Sequence, residues 1–573
     1  MSVLEAETAS LLAEPHHDGS DLYVLERPGA LGDQAVVRLR ATGVEEIALR
    51  YVEDGEPRVV DARAHGDGWW VAEFPIRNPF VRYRWRLRGG EIGYGWLNGL
   101  GVVDHDVPDA DDFVMSVDPG GPAWHLESVV YEVFPDRFAS SGLGVEPPEW
   151  AIRRGWDELP TGRGPETPYE WFGGDLRGVE QHLDHIERLG ANVIYLTPIF
   201  PAGSTHRYDS TSFDRIDPLL GGDEALQSLV LAAHARGMRV ISDLTTNHTG
   251  DKHEWFVAGE RELYLFDESG DYASWWGVKT LPKLNWESEE LRGRIEAVAR
   301  KWLAPPYELD GWRVDVANMS GRHGNVDVNR DVAPLLRFAV GDKLLVAEHN
   351  HDFRPDFAGW HGTMNYPGFA SPVAQWLRGD AELPFPVPRL GGKQIVATTR
   401  AFRAGVPWQS TLHSWALLDS HDWPRFSTIA GSRDRHLVAI GLQMTTPGVP
   451  MIFAGDEIGL EGAWGEDARR TMPWDKRDQW DDVLFEEFRR LIVLRRSEPT
   501  LVRGGIRYVH VTEDAIAYLR ETRDERLLCL ASRAPHDPIR VPFRSLETLY
   551  GADADDGLLP AGGPSFHTWR ING

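Results

Sequence analysis

Cysteine is almost missing from this 573-residue chain. Cys529 stands alone, so no intrachain disulfide and no multi-cysteine metal cluster can form. Positive charge is in short supply too: 60 Lys and Arg face 88 Asp and Glu, a formal net charge of −28. A surface of that sign repels nucleic-acid phosphates and anionic membranes, so neither partner is expected. No stretch approaches the ~20 apolar residues of a membrane-spanning helix. The opening MSVLEAETASLLAEPHHDGSD lacks a basic head and a long apolar core and does not read as a secretion signal. A cytoplasmic location is expected. No internal repeat, long low-complexity tract, HExxH motif or tight histidine cluster is found, which speaks against a metal hydrolase.

What the chain does have is apolar mass and tryptophan. Hydrophobic residues make up 42%, and there are 23 Trp. That is enough for large buried cores, and flat aromatic rings suit the apolar faces of sugars as well as ordinary packing. The length allows two to four domains at ~150 residues each. Residues 1–122 alternate apolar and polar positions (QAVVRLRATG, EEIALRYVED, WWVAEFPI, VRYRWRLRG) between Gly, Asp and Pro turns, the pattern of a β-sandwich. After the linker DPGGPAWHLE the rhythm changes. Short apolar strands (VVYEVF, NVIYLTP, MRVISDL, DGWRVDV, LLVAEH, SWALLD, PMIFAGD) alternate with helical patterns such as 178–190 and 223–237, each closing on Gly. Repeated strand–helix units over 123–500 predict a closed (β/α)8 TIM barrel. Segment 249–286 interrupts that rhythm and is too long for an ordinary connection, so a short inserted segment is expected there. From 501 to 573 β alternation returns, predicting a C-terminal β-sandwich domain.

The chemistry gathers at strand ends, where barrel active sites lie. VISDLTTNH ends in Asp243, Asn247 and His248; GWRVDVAN in Arg313, Asp315 and Asn318; LLVAEHNHD in Glu348, Asn350 and His351; WALLDSHD in Asp419, His421 and Asp422. Four apolar strands ending in ionisable groups would be costly for stability alone. Retaining glycoside hydrolysis makes sense of them, because it needs two carboxyl groups about 5–5.5 Å apart. Asp315 suits the nucleophile and Glu348 the acid/base. Arg313, two residues before Asp315 on the same strand face, is expected to keep Asp315 ionised, and burial near other carboxylates to keep Glu348 protonated. His248, His421 and Asp422 suit a grip on sugar hydroxyls. Lone histidines such as His206, His323 and His361 read as packed or solvated.

These blocks resemble glycoside hydrolase family 13, the α-amylase family. DLTTNH (243–248), GWRVDVAN (311–318), AEHNHD (347–352) and DSHD (419–422) stand in the order of its hallmark regions, supported by YEVFPDRF (131–138), FGGDLRGV (172–179) and YDSTSFDRIDPLLG (208–221). The resemblance implies Asp315 as nucleophile, Glu348 as acid/base and Asp422 as transition-state stabiliser. It also implies that Arg313, His248 and His421 contact substrate, that Tyr208 stacks under the sugar at the cleaved bond, and that Asp243 and Asn247 are structural. LPKLN (281–285) and VAN (316–318) are similar to signatures of the neopullulanase, cyclomaltodextrinase and maltogenic amylase subgroup. Its members are often homodimers acting on short or cyclic α-glucan oligosaccharides.

The chain departs from that subgroup in places. Met319 replaces a Glu, and His349 and Asn350 replace an apolar residue and a Trp on the acceptor side, where Trp423 is a candidate replacement platform. The Asn/Asp-rich calcium loop after PDRF is replaced by ASSGLGVEPPEW, so no metal ligand and no cofactor is assigned, and a structural calcium stays open. Three alternatives also stay open: a hydrolase of a cyclic tetrasaccharide with mixed α-1,4 and α-1,6 links, as cyclic maltosyl-maltose hydrolase handles; a glucanotransferase using the same site; and a catalytically silent sugar-binding protein.

Overall fold

The computed structural model describes residues 12–380 and 387–572. Residues 1–11, which carry half of the opening stretch read above as no secretion signal, lie outside the described part.

Eight short parallel strands form the centre. In chain order they are β1 (Val130–Val133), β2 (Val193–Leu196), β3 (Arg239–Thr245), β4 (Gly311–Asp315), β5 (Leu344–Ala347), β6 (Gly362–Thr363), β7 (Trp415–Leu417) and β8 (Val449–Phe453). Each pairs with its sequence neighbour from β1 to β6; β7 pairs with β8 and β8 with β1. A parallel bridge from Met364 to Trp415 closes the ring between β6 and β7. The sequence therefore folds into the (β/α)8 barrel expected of it.

Side-chain parity decides what faces the inside. Val130, Val193, Tyr195, Ile241, Leu344, Val346, Trp415, Leu417, Val449 and Met451 fill the barrel's interior cluster. Their in-between neighbours, such as Tyr131, Ile194, Val240, Trp312 and Leu345, pack outward against the helices. Counting by twos from the interior residues brings Glu132, Asp243, Arg313, Asp315 and Glu348 to the inward face at the C-terminal ends of their strands.

The helices follow local rules. Glu289–Leu303 is capped by the Ser288 hydroxyl, which accepts from the Leu291 N–H, with Glu289 and Glu290 in its first turn and Arg300 and Lys301 in its last. The single helix read over 178–190 is instead two pieces, Leu176–Gln181 and Leu183–Leu189. The break falls at His182, whose Nδ1 turns back onto the Gly178 carbonyl at 2.9 Å. Gly190 caps the second piece at φ 100°, as a helix-ending glycine should.

Before the barrel, a four-stranded and a six-stranded antiparallel sheet face each other over one apolar core that includes Val37, Leu39, Phe74, Leu49, Tyr83, Trp85 and Leu87. This sandwich docks on the barrel through the Phe80–Phe357 edge contact (4.9 Å between centroids) and the Arg354–Asp111 ion pair at 2.8 Å. After the barrel, a five-stranded antiparallel sheet and a two-stranded ribbon share a smaller core around Val509, Leu519, Leu528, Val541 and Trp569. Among the described residues no helix is long and apolar enough to cross a membrane.

Between β3 and the helix at Glu289, the chain forms an arm held by isolated bridges: Tyr264 with Leu284, Phe266 with Tyr272, Ser274 with Pro282, and His248 with Lys283. The last of these registers the arm on the strand end that carries His248.

Candidate active site

Arg313 organises the mouth of the barrel. Its side chain is wholly buried, and such a charge persists only when paired. One nitrogen, Nη1, donates to Asp243 at 2.9 Å and to Asp315 Oδ1 at 2.9 Å; the other, Nη2, lies 3.1 Å from Glu348 Oε2. The second contact is an ion pair without hydrogen-bond alignment, so Nη2 keeps an unused proton. The two candidate catalytic acids thus share one guanidinium, on neighbouring strands and at the same end.

Local backbone geometry brings them together. Val316, just after Asp315, has φ 44°, a left-handed conformation that a β-branched residue rarely adopts. This turn aims the Val316 N–H at Glu348 Oε2, 2.8 Å away. Asn350 Nδ2 donates to the other oxygen, Glu348 Oε1, at 3.2 Å.

The charge distribution corrects one expectation. Arg313 does not by itself keep Asp315 ionised. Burial first, then the negative charge of Glu348, hold the Asp315 carboxyl well above the usual range, and Arg313 offsets only part of this. Asp243 is also raised, burial outweighing Arg313 and the Tyr195 hydroxyl.

A second chain of contacts runs along the opposite wall. Glu132 Oε1 meets His421 Nδ1 at 2.5 Å. His421 Nε2 faces the Tyr208 hydroxyl at 2.8 Å and Asp422 at 3.3 Å. The Tyr208 hydroxyl donates to Asp243 at 3.0 Å, as does that of Tyr195 at 2.7 Å. Burial disfavours a charge on His421, but Asp422 and Glu132 outweigh it and raise its pKa, which favours the imidazolium form. Asp422 opens onto the mouth, its side chain 41% exposed, and Arg469 Nη2 donates to it at 2.9 Å. Its desolvation is overcome by the charges of His421, Arg469 and Arg313, which hold it below the usual value.

His248 is the opposite case. Burial, then the positive charge of Lys283, depress it to about 3, so the ring is neutral. Asn247 Nδ2 donates to its Nδ1 at 2.9 Å, which fixes the proton on Nε2. That Nε2–H is buried with no well-aligned hydrogen bond, only a weak approach to the Tyr208 backbone, and a sugar hydroxyl would satisfy it.

Asp315, Glu348, Arg313, Tyr208, His421, Asp422 and Asn350 are therefore joined by direct contacts, with His248 on the adjoining strand end. One predicted residue stands apart: Asn318 faces His351 at 3.0 Å rather than the acids. Trp423, next to Asp422, packs its ring 5.4 Å from that of Tyr366, which lies close enough to Asp422 and Glu348 to feel their charges. Asp419 is turned to the Phe426 N–H at 2.6 Å. His206 belongs to the site wall, its ring stacked 5.8 Å from that of Tyr208. Sequence reasoning missed Glu132, Tyr195 and Arg469. Glu132 carries the signal used elsewhere, an acid inside an apolar strand, whereas Arg469 sits in a loop with no periodic signal.

Among the described residues no group of three or more His, Cys, Asp or Glu is placed to hold a metal ion. At the segment that replaces the calcium loop, Asp175 accepts from the Ser141 N–H and hydroxyl, each at 2.9 Å.

The profile of the α-amylase catalytic domain matches residues 132–276 and 260–490. Neopullulanase 2 of Thermoactinomyces vulgaris is 32% identical over 440 residues, covering 71% of this chain and 69% of that protein. The intracellular maltogenic amylase of Bacillus subtilis is 30% identical over 433 residues, 71% of this chain and 68% of that one. The ligand-free cyclic α-maltosyl-(1→6)-maltose hydrolase of Arthrobacter globiformis superposes with a TM-score of 0.67 at 29% identity, over 78% of this chain and 99% of the other. A closed parallel barrel, paired acids on one guanidinium at its C-terminal mouth, and these matches lead to one conclusion: the chain belongs to the α-amylase family of glycoside hydrolases.

Proposed function

We propose that this enzyme hydrolyses short or cyclic α-glucan oligosaccharides with retention of configuration, through a glucosyl–Asp315 intermediate. The observation that carries the reading is the single Arg313 guanidinium holding both Asp315 and Glu348. Acids gripped by adjacent nitrogens of one group fit the short spacing of retaining enzymes better than the 6.5–9.5 Å of inverting ones. Glu348 gives its proton to the leaving glycosidic oxygen while Asp315 attacks the anomeric carbon. Glu348, now ionised, takes a proton from water, which displaces Asp315 and regenerates the pair. Asp422 and Tyr208 face the oxocarbenium-like centre, and the His248 Nε2–H and the His421 ring grip hydroxyls. No organic cofactor enters. A cytoplasmic homodimer is part of this reading, supported by the resemblance to the intracellular maltogenic amylase and its subgroup.

A second reading has its own support. The acceptor side carries His349, tied to Asp356 at 3.1 Å, and Asn350 beside the acid, and the solved cyclic maltosyl-maltose hydrolase is 29% identical. A mixed-linkage cyclic tetrasaccharide is therefore included among substrates to test.

Asp315→Ala is expected to lower kcat by roughly four to six orders of magnitude while circular dichroism stays native. A loss of only a few-fold contradicts the assignment. A panel of linear, branched and cyclic glucosaccharides, with products identified at low and high sugar concentration, separates the two substrates and separates hydrolysis from transfer.

A further inference from the structure

The tip of the arm carries two adjacent tryptophans, and their arrangement is unusual. Trp276 is 78% exposed, a costly place for a large aromatic ring in water. Its backbone is left-handed at φ 47°, a conformation L residues seldom adopt. The indoles of Trp275 and Trp276 are stacked, 4.8 Å between centroids and 11° from parallel. Trp275 in turn lies 6.0 Å from the His248 ring, and its indole N–H is buried without a hydrogen-bond partner. The tip is held to the barrel mouth by the His248–Lys283 bridge and by Lys283 Nζ, which donates to Asn247 Oδ1 at 2.6 Å.

A run of ring faces thus leads outward from a proposed sugar-binding histidine to an open indole face. A strained backbone that pushes a tryptophan into solvent is poor for folding, and strain of this kind gathers at ligand sites. Trp423 offers less open ring surface than Trp276, because it is half-buried and packs on Tyr366. We propose that the outer face of Trp276, backed by Trp275, is a stacking platform for a glucosyl ring of the substrate beyond the cleaved bond. The enzyme then favours α-glucans long enough to reach it over disaccharides. The occupant is argued from continuity with the catalytic mouth, so the inference rests on the sugar-cleaving reading above.

The test uses full-length Asp315→Asn protein, which should bind sugar without turning it over. Calorimetric titration with maltose and with maltohexaose is repeated with Trp276→Ala and Trp276→Phe added. The expected result is a roughly tenfold weaker maltohexaose affinity for Trp276→Ala, maltose affinity within about twofold, and recovery of most of the loss by Trp276→Phe. In the otherwise wild-type enzyme, Trp276→Ala should raise KM for maltohexaose and leave kcat nearly unchanged. Unchanged maltohexaose affinity, or equal weakening for both sugars, overturns the platform. If the Asp315→Asn protein binds neither sugar, the sugar-cleaving reading fails first, and the platform with it.

Discussion

At the residue scale, the site works because one buried cation holds acids that would otherwise repel. The pKa of Asp315 is raised by burial and by Glu348, so activity that needs ionised Asp315 should fall as pH drops through that raised value. The acid limb of kcat/KM is expected well above ~4, the ordinary carboxylate value. Replacing Glu348 by Gln removes the like charge and should lower the Asp315 pKa, read directly by carbon NMR of the labelled carboxyl; an unchanged value would contradict the pairing. The stability sign follows from the same shift. A carboxyl whose folded pKa is raised binds more protons folded than unfolded, so it costs stability as pH rises from the unfolded pKa to the folded one. Asp315→Asn should therefore gain Tm relative to wild type as pH rises above ~4, the ordinary carboxylate value. Across the mouth, Glu132→Gln takes the negative partner from His421. The expected outcome is a lower imidazole pKa, visible by proton NMR, and kcat reduced on the order of 10²-fold through misplacement of His421 and Tyr208.

At the element scale, the arm over the mouth hangs on Lys283. Burial depresses this amine to about 8, and it donates to Asn247 Oδ1 and, at 3.3 Å, to the Met319 carbonyl. Met319 offers no counter-charge. A lysine whose folded pKa lies below its unfolded value binds fewer protons folded, so its effect on stability becomes more favourable as pH rises from about 8 towards 10. Lys283→Met leaves Asn247 Oδ1 without its donor, a cost of about 1–3 kcal/mol. Limited proteolysis should cut within 263–285 faster in that variant, and KM should rise several-fold; arm cleavage at the wild-type rate would show that the bridges alone hold it. The arm was legible in sequence as an interruption, LPKLN included. Its conformation was not, because 249–286 has no periodicity of its own. The helix at 178–190 misled for a related reason: its apolar spacing runs through His182, and only the turn-back onto Gly178 breaks it.

At the scale of the whole molecule, the N-terminal sandwich is fastened to the barrel by a mixed set of contacts, among them the Val114–Pro407 bridge and the Arg27–Gln409 hydrogen bond. Phe357, buried against Phe80, is one of the apolar ones. Phe357→Ala is expected to remove roughly 3–5 kcal/mol from that contact. Calorimetry should then show the sandwich melting earlier than the barrel, while Arg354→Ala, which breaks a partly exposed ion pair, should move it far less. If the chain pairs with a copy of itself, sedimentation gives twice the chain mass of 64.4 kDa.

The sequence by itself determined the strand–helix rhythm, the shared strand face of Arg313 and Asp315, and the neighbouring placement of Asp315 and Glu348. These follow from periods of two and 3.6 and from chain order, which short-range physics fixes. Tertiary structure alone decided who meets whom across the barrel. Glu132 on β1 meets His421 after β7 because the ring closes, Arg469 reaches Asp422 from a loop, and Asn318 turns to His351. It also decided that the Asp315 carboxyl is raised. That depends on burial and on charges brought close by the closed ring, and no spacing along the chain encodes it.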